Sequence, residues 1–67
     1  MNEYNYSGPV RNMYNDIRLN KWETKTIAVS SEKAISNLRY RYSILNKCSI
    51  GDVKLNPKYL TKVREGV

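Results

Sequence analysis

The chain has 67 residues, twelve Lys or Arg against six Asp or Glu, and no His, which gives a formal charge of +6. That length has room for one domain over residues 1–67, with disorder expected, if anywhere, at its ends. The absence of His excludes Ser-His-Asp and Cys-His nucleophile systems, imidazole bases and His-based zinc sites. The remaining acids are scattered singly, the glycines at 8, 51 and 66 form no phosphate loop, and the single Cys48 excludes an internal disulfide or a thiolate cage. A binding protein that is not an enzyme and uses no cofactor is therefore expected.

In the first twenty residues two patterns compete. Tyr4 and Tyr6 ahead of Ser7-Gly8-Pro9 suggest a strand, whereas Val10, Met13, Tyr14 and Ile17 fit helical spacing. Asn12, Asn15 and Asn20 weaken a helix, so a strand is expected over residues 4–13. Residues 21–29 are rich in β-branched and aromatic side chains and read as a second strand. Trp22 argues for burial of one of its faces and the Ile27, Val29 pair for the other; the indole decides for Trp22, Thr26 and Ala28 inward.

Residues 31–47 carry the clearest pattern. Ala34, Ile35, Leu38, Tyr42 and Leu45 fall within a stripe about 100° wide at about 100° per residue, as on an amphipathic helix. Ser30 or Ser31 supplies the N-cap, Glu32 complements the helix dipole, and Asn46 is the residue suited to a left-handed exit. The core is expected to join Ala34, Leu38, Tyr42 and Leu45 to Trp22. Residues 52–63 then alternate, with Val53, Leu55, Tyr59, Thr61 and Val63 on one face and Lys54, Asn56, Lys58, Leu60 and Lys62 on the other. Pro57 cannot donate to a ladder, so this strand is broken there or lies at an edge. The fold expected is α+β: a small antiparallel sheet of about three strands in the order β-β-α-β, with one amphipathic helix across a face.

Up to Glu32 the chain has four basic and four acidic residues; beyond it there are eight basic and two acidic, so the entire net charge lies in the second half. Two groups of residues there are candidates for binding. On the helix, Tyr40 and Ile44 point away from the apolar stripe near Lys33, Asn37 and Lys47, making a basic strip with aromatic and aliphatic anchors. Arg39 and Arg41 flank the stripe, and their stems are expected to cover the core edges. On the last strand, Lys54, Lys58 and Lys62 recur every four residues, with Arg64 beyond. If the strand runs through Pro57 they form a ridge that follows a phosphate backbone; lysines on an edge strand also serve to block edge-to-edge pairing.

Tyr6-Ser7-Gly8-Pro9-Val10, the stretch from Trp22 to Ser30, and the helix segment from Glu32 to Tyr42 together resemble a group of small accessory proteins of uncharacterised activity. These are carried by phages and integrative elements of Gram-positive bacteria. The resemblance covers most of the first 45 residues and implies context: an accessory gene of a mobile element, acting in the cytoplasm of a bacterial host. It brings no functional residue with it.

Two functions fit these features. One is a non-enzymatic accessory protein whose basic C-terminal half binds nucleic acid or a nucleoprotein. The other is a host- or defence-directed inhibitor, such as an anti-CRISPR or a transcription modulator, that works by protein–protein binding. The partner is then nucleic acid, a host protein or a nucleoprotein complex. No membrane is expected, because the longest apolar run, 27–29, is far too short to span one. Self-association is open to so small a domain, which buries only about 60% of the surface its unfolded chain exposes.

Overall fold

A computed structural model describes residues 1–67. Its elements are β1 (Asn2–Arg11), β2 (Ile17–Ala28), α1 (Ser31–Asn46), β3 (Lys54–Leu55) and β4 (Leu60–Glu65), with 3₁₀ turns at Ile50–Asp52 and Pro57–Tyr59. One helix packs on an antiparallel sheet of four strands, the small α+β fold expected with one strand more. β1 is central. β2 runs along one side of it, and β3 and β4 share the other, β3 against Val10 and Arg11 and β4 against residues 2–6.

The first hairpin turns on asparagine chemistry. Asn12 Oδ1 accepts hydrogen bonds from the backbone N–H groups of Tyr14 and Asp16, both at 2.9 Å, and Asn15 adopts φ 69°. A short amide side chain that mimics a backbone turn and tolerates the left-handed region makes this sharp reversal. The strand over 4–13 therefore stops at Arg11, and β2 begins at Ile17, four residues ahead of the expected 21. Two irregularities, between Gly8 and Val10 and between Val10 and Arg11, extend the ladder into this region.

The faces alternate as strand geometry requires. Tyr4, Tyr6, Gly8 and Val10 of β1 and Thr26 and Ala28 of β2 are buried, with Trp22 half-buried beside them. Ile27 and Val29 are exposed, so the indole did mark the inner face.

Ser30 Oγ accepts from the Lys33 N–H at 3.2 Å and caps α1. Ala34, Leu38 and Tyr42 are buried against the sheet. Leu45, expected beside them, is 68% exposed. Ala34, Leu38 and Tyr42 form an i, i+4 row, which drifts about 40° round the helix at each step; its continuation is Asn46, so Leu45 is left about 60° behind the contact line. Ser43 takes up the far side of the buried arc, its hydroxyl donating to Tyr40 O at 2.7 Å. The left-handed exit falls on Lys47 (φ 53°) rather than on Asn46, whose Nδ2 donates to Tyr42 O at 3.0 Å. Cys48 N–H then donates to Ser43 O and closes the helix end.

The expected strand over 52–63 is broken at Pro57. A 3₁₀ turn over Pro57–Tyr59 separates β3 from β4 and changes the phase of the alternation. Val53 and Leu55 are buried as expected, but beyond the turn Leu60 faces the core while Thr61 and Val63 are exposed. The Tyr59 ring causes this. It lies directly on Gly8, where an added Cβ would overlap Tyr59 Cγ. Opposite this turn β1 has no ladder partner on its β3/β4 side, and Pro9, which has no N–H to donate, occupies the gap.

Tyr6 spans the same gap. Its hydroxyl donates to Pro9 O at 2.7 Å and accepts from the Asn56 N–H at 3.3 Å. An aromatic row, Tyr59–Tyr6–Trp22–Tyr42, then links this corner to the helix, with ring centroids 6.4, 6.5 and 5.1 Å apart in sequence. Such tilted and edge-on contacts add to the area they bury. The chain ends meet as well: Val67 N–H donates to Met1 O at 2.8 Å.

Candidate anion-binding depression and basic helix strip

Four of the twelve cations sit against carboxylates. Arg18 meets Asp52 at 2.7 Å, Lys21 meets Glu23 at 3.2 Å, Arg64 meets Glu3 at 3.7 Å, and Lys62 is paired with Glu65. The last pair is hydrogen-bonded, which raises the Lys62 pKa and lowers that of Glu65. The Tyr42 phenol is the largest cause of a raised Arg18 pKa, with Asp52 among the smaller contributions. Asp52 also accepts from the Met13 N–H at 3.0 Å, so it ties the first hairpin turn to the Ile50–Asp52 turn.

Two further arginines are fixed on the fold. Arg39 donates from Nε to Val53 O at 2.8 Å and from Nη2 to Ile50 O at 3.1 Å. Arg41 donates from Nη1 to Lys25 O at 2.7 Å and to Thr24 Oγ1 at 3.1 Å. Their stems were expected to cover the core edges; their heads do more, Arg39 holding the segment after the helix. Arg41 caps a carbonyl of β2, an edge strand with no strand partner on its outer side.

The lysines of the C-terminal segment do not form one ridge, because no single strand carries them. Lys54 is on β3, Lys58 in the 3₁₀ turn and Lys62 on β4. Lys62 and Arg64 each meet an acid, whereas Lys54 and Lys58 meet none. Lys58 lies over the Tyr59 ring, 5.5 Å from its centroid.

What the fold adds is Arg11. It pairs directly with Lys54 across the β1–β3 ladder, on the sheet face turned away from α1. Directly opposite residues have Cβ atoms about 5 Å apart, and like charges in that position are destabilising. No carboxylate is paired with either side chain. They border a depression of about 420 Å³ lined with them by Pro9, Asn15, Leu55, Asn56, Pro57 and Tyr59. Arg11 Nη1 donates to Asn15 O at 2.8 Å, which fixes the guanidinium at the rim and leaves its other N–H groups free to donate. Two cations, one held in place, with amide side chains and no acid, suit an anion. Arg11, Asn15, Asn56 and Tyr59 are not among the binding residues expected from sequence; nothing local signals that residue 11 will face residue 54.

The helix strip lies on the other layer. Lys33, Asn37, Tyr40, Ile44 and Lys47 are all exposed along the outer face of α1, as their phase required. The structure adds Leu45 and Arg41 to that strip. Thr26, Asn37, Tyr40, Arg41, Ile44 and Leu45 line a second hollow, of about 450 Å³, between the helix and the edge of β2.

No group of three or more Cys, Asp or Glu is placed to hold a metal ion, and no helix is long and apolar enough to cross a membrane. Comparison with protein-family models, with curated proteins and with solved structures finds no match to the chain.

Proposed function

We propose that the protein is a non-enzymatic nucleic-acid-binding accessory factor, of the kind carried by phages and mobile elements and acting in the host cytoplasm. It holds phosphate groups on Arg11, Lys54 and Lys58. The observation that carries this reading is the Arg11–Lys54 pair: two cations directly opposite one another, without a carboxylate, at the mouth of a polar depression. A phosphate between them relieves their repulsion and releases counterions from the nucleic acid. Asn15 and Asn56 offer hydrogen bonds there, and such contacts position a protein on the backbone without reading bases.

A salt titration of binding to random duplex and to single-stranded oligonucleotides tests the reading. The logarithm of affinity should fall linearly with that of salt concentration, by about 0.9 per phosphate neutralised on duplex. Arg11→Gln with Lys54→Gln should make that slope shallower by about 2, equally for unrelated sequences. Lys62→Gln should change it less, because Lys62 already has Glu65 beside it. Absence of binding to either oligonucleotide at low salt would overturn the reading and put the protein-directed inhibitor in its place.

A further inference from the structure

We propose that the outer face of α1 docks a protein partner through an acidic amphipathic helix, independently of the phosphate-binding depression. Tyr40, Ile44 and Leu45 are 60%, 57% and 68% exposed, three adjacent large side chains on one side of the helix. Scattered single apolar residues on a surface need no explanation, but these three surround one hollow. The wall of that hollow is preset, because Arg41 is held by Thr24 and Lys25, so less ordering is needed when a partner seats there.

Charge selects the occupant. Lys33 and Lys47 stand at the two ends of the strip and Arg41 on its flank, and none of them is paired with a carboxylate. Glu32, the nearest acid in sequence, projects about 100° away from Lys33.

A second copy of the chain is a poor occupant. A two-fold axis through Tyr40 with the helices antiparallel sets Lys33 against Lys47 of the other copy, and a parallel arrangement sets each cation against itself. Nucleic acid fits poorly too, since Ile44 and Leu45 provide neither a stacking plane nor a donor. A helix with an apolar stripe flanked by Asp and Glu answers both features. The strip from Lys33 to Lys47 is about 21 Å long, close to four helical turns, and one large apolar side chain of the partner enters the hollow beside Thr26. The depression and the strip lie on opposite layers, so both can be occupied at once.

The probe is a designed helical peptide of about 18 residues with Leu at i, i+3, i+4 and i+7 and Glu on both flanks. Its control has the same Leu pattern and Lys flanks. Added to the ¹⁵N-labelled full chain, the Glu peptide should shift the amide signals of Asn37, Tyr40, Arg41, Ile44 and Leu45, and the Lys peptide should bind at least about tenfold more weakly. Ile44→Ser with Leu45→Ser should weaken the Glu peptide about tenfold or more while the melting temperature holds. Lys33→Glu with Lys47→Glu should reverse the preference between peptides, and Arg11→Gln with Lys54→Gln should leave it unchanged. Failure of the Glu peptide to bind, equal binding of both peptides, or shifts on the open sheet face would overturn the proposal. So would sedimentation showing self-association lost on Ile44→Ser, or duplex DNA that shifts these same helix amides.

Discussion

The β1–β2 hairpin and the C-terminal segment Lys54–Glu65 are attached to the molecule in different ways. The hairpin is a long ladder closed by a short asparagine turn, formed between neighbours in sequence. The C-terminal segment comes back from beyond the helix in two short pieces, and its junction is made by side chains: the Tyr6 hydroxyl, the Tyr59 ring on Gly8, and Leu60 in the core. Ladder hydrogen bonds are local and numerous; the junction depends on a few contacts distant in sequence. The acid-free cations Lys54 and Lys58 lie in that second region. Two of the three cations proposed to touch a ligand are thus on the segment with fewer backbone ties, where local opening is expected to cost less, and the third, Arg11, stands on the hairpin.

The largest effect should come from the residue on which both regions rest. Leu38 is fully buried between the helix and the two parts of the sheet, and Leu38→Ala should cost about 2–5 kcal/mol in chemical denaturation, enough to unfold much of so small a domain. A variant melting like the original would show that the shared core lies elsewhere.

Gly8→Ala acts on the junction alone. The new methyl group collides with Tyr59, at a cost of about 1–3 kcal/mol for displacing the ring. Hydrogen-exchange protection should fall first in residues 57–65, with the β1–β2 ladder retained. Equal loss in β2 would show that the two regions open as one unit.

Tyr6→Phe removes the hydroxyl between Pro9 O and the Asn56 N–H and should cost about 1–3 kcal/mol, since a donor and an acceptor lose their partner. The same phenol predicts an alkaline sensitivity. Burial raises its pKa, the Asn56 N–H opposes the rise, and Tyr59 adds to it. The folded state therefore holds this proton more tightly than the unfolded chain. Its contribution is complete below the unfolded value near 10 and is lost as pH rises through the folded value. Denaturation followed from pH 8 to 11 should show a fall in stability that Tyr6→Phe makes smaller; an unchanged fall would assign it to other groups.

The smallest effect belongs to the ion pair at the edge of β4. Glu65 is held below its ordinary value by Lys62, so its contribution is present above the unfolded carboxylate range and is lost as pH falls through the folded value. Both partners are exposed, so Glu65→Gln should leave the melting temperature at pH 7 nearly unmoved. It also frees Lys62, so the salt dependence of the proposed nucleic-acid binding should steepen slightly; an unchanged dependence would place Lys62 outside the contact surface.

Much of the layout was legible in the order of residues. The helix over Ser31–Asn46 follows from its Ser cap and apolar period, and the inward face of β2 from a single indole. The exposure of Tyr40 and Ile44 follows from the same helical phase. Only part of the candidate surface could be read this way. Lys33, Lys47, Lys54 and Lys58 stand exposed without acids, but Arg64 faces Glu3 from the far end of the chain, and Arg11 enters by pairing with Lys54.

Sequence alone determined what depends on neighbours a few residues apart: the helix, its start, its outer and inner sides, the chemistries that missing residues forbid, and the weakness of the last strand at Pro57. Tertiary structure decided what depends on where distant segments meet. Leu45 falls outside the core because the helix contacts the sheet along an inclined row, and that inclination is a property of two packed surfaces. Leu60 turns inward because the Tyr59 ring needs the space that Gly8 leaves on β1. The charge of the second half, uniform in the order of residues, becomes two separate surfaces, because ladder register and salt bridges assign each cation its neighbours only once the chain has closed.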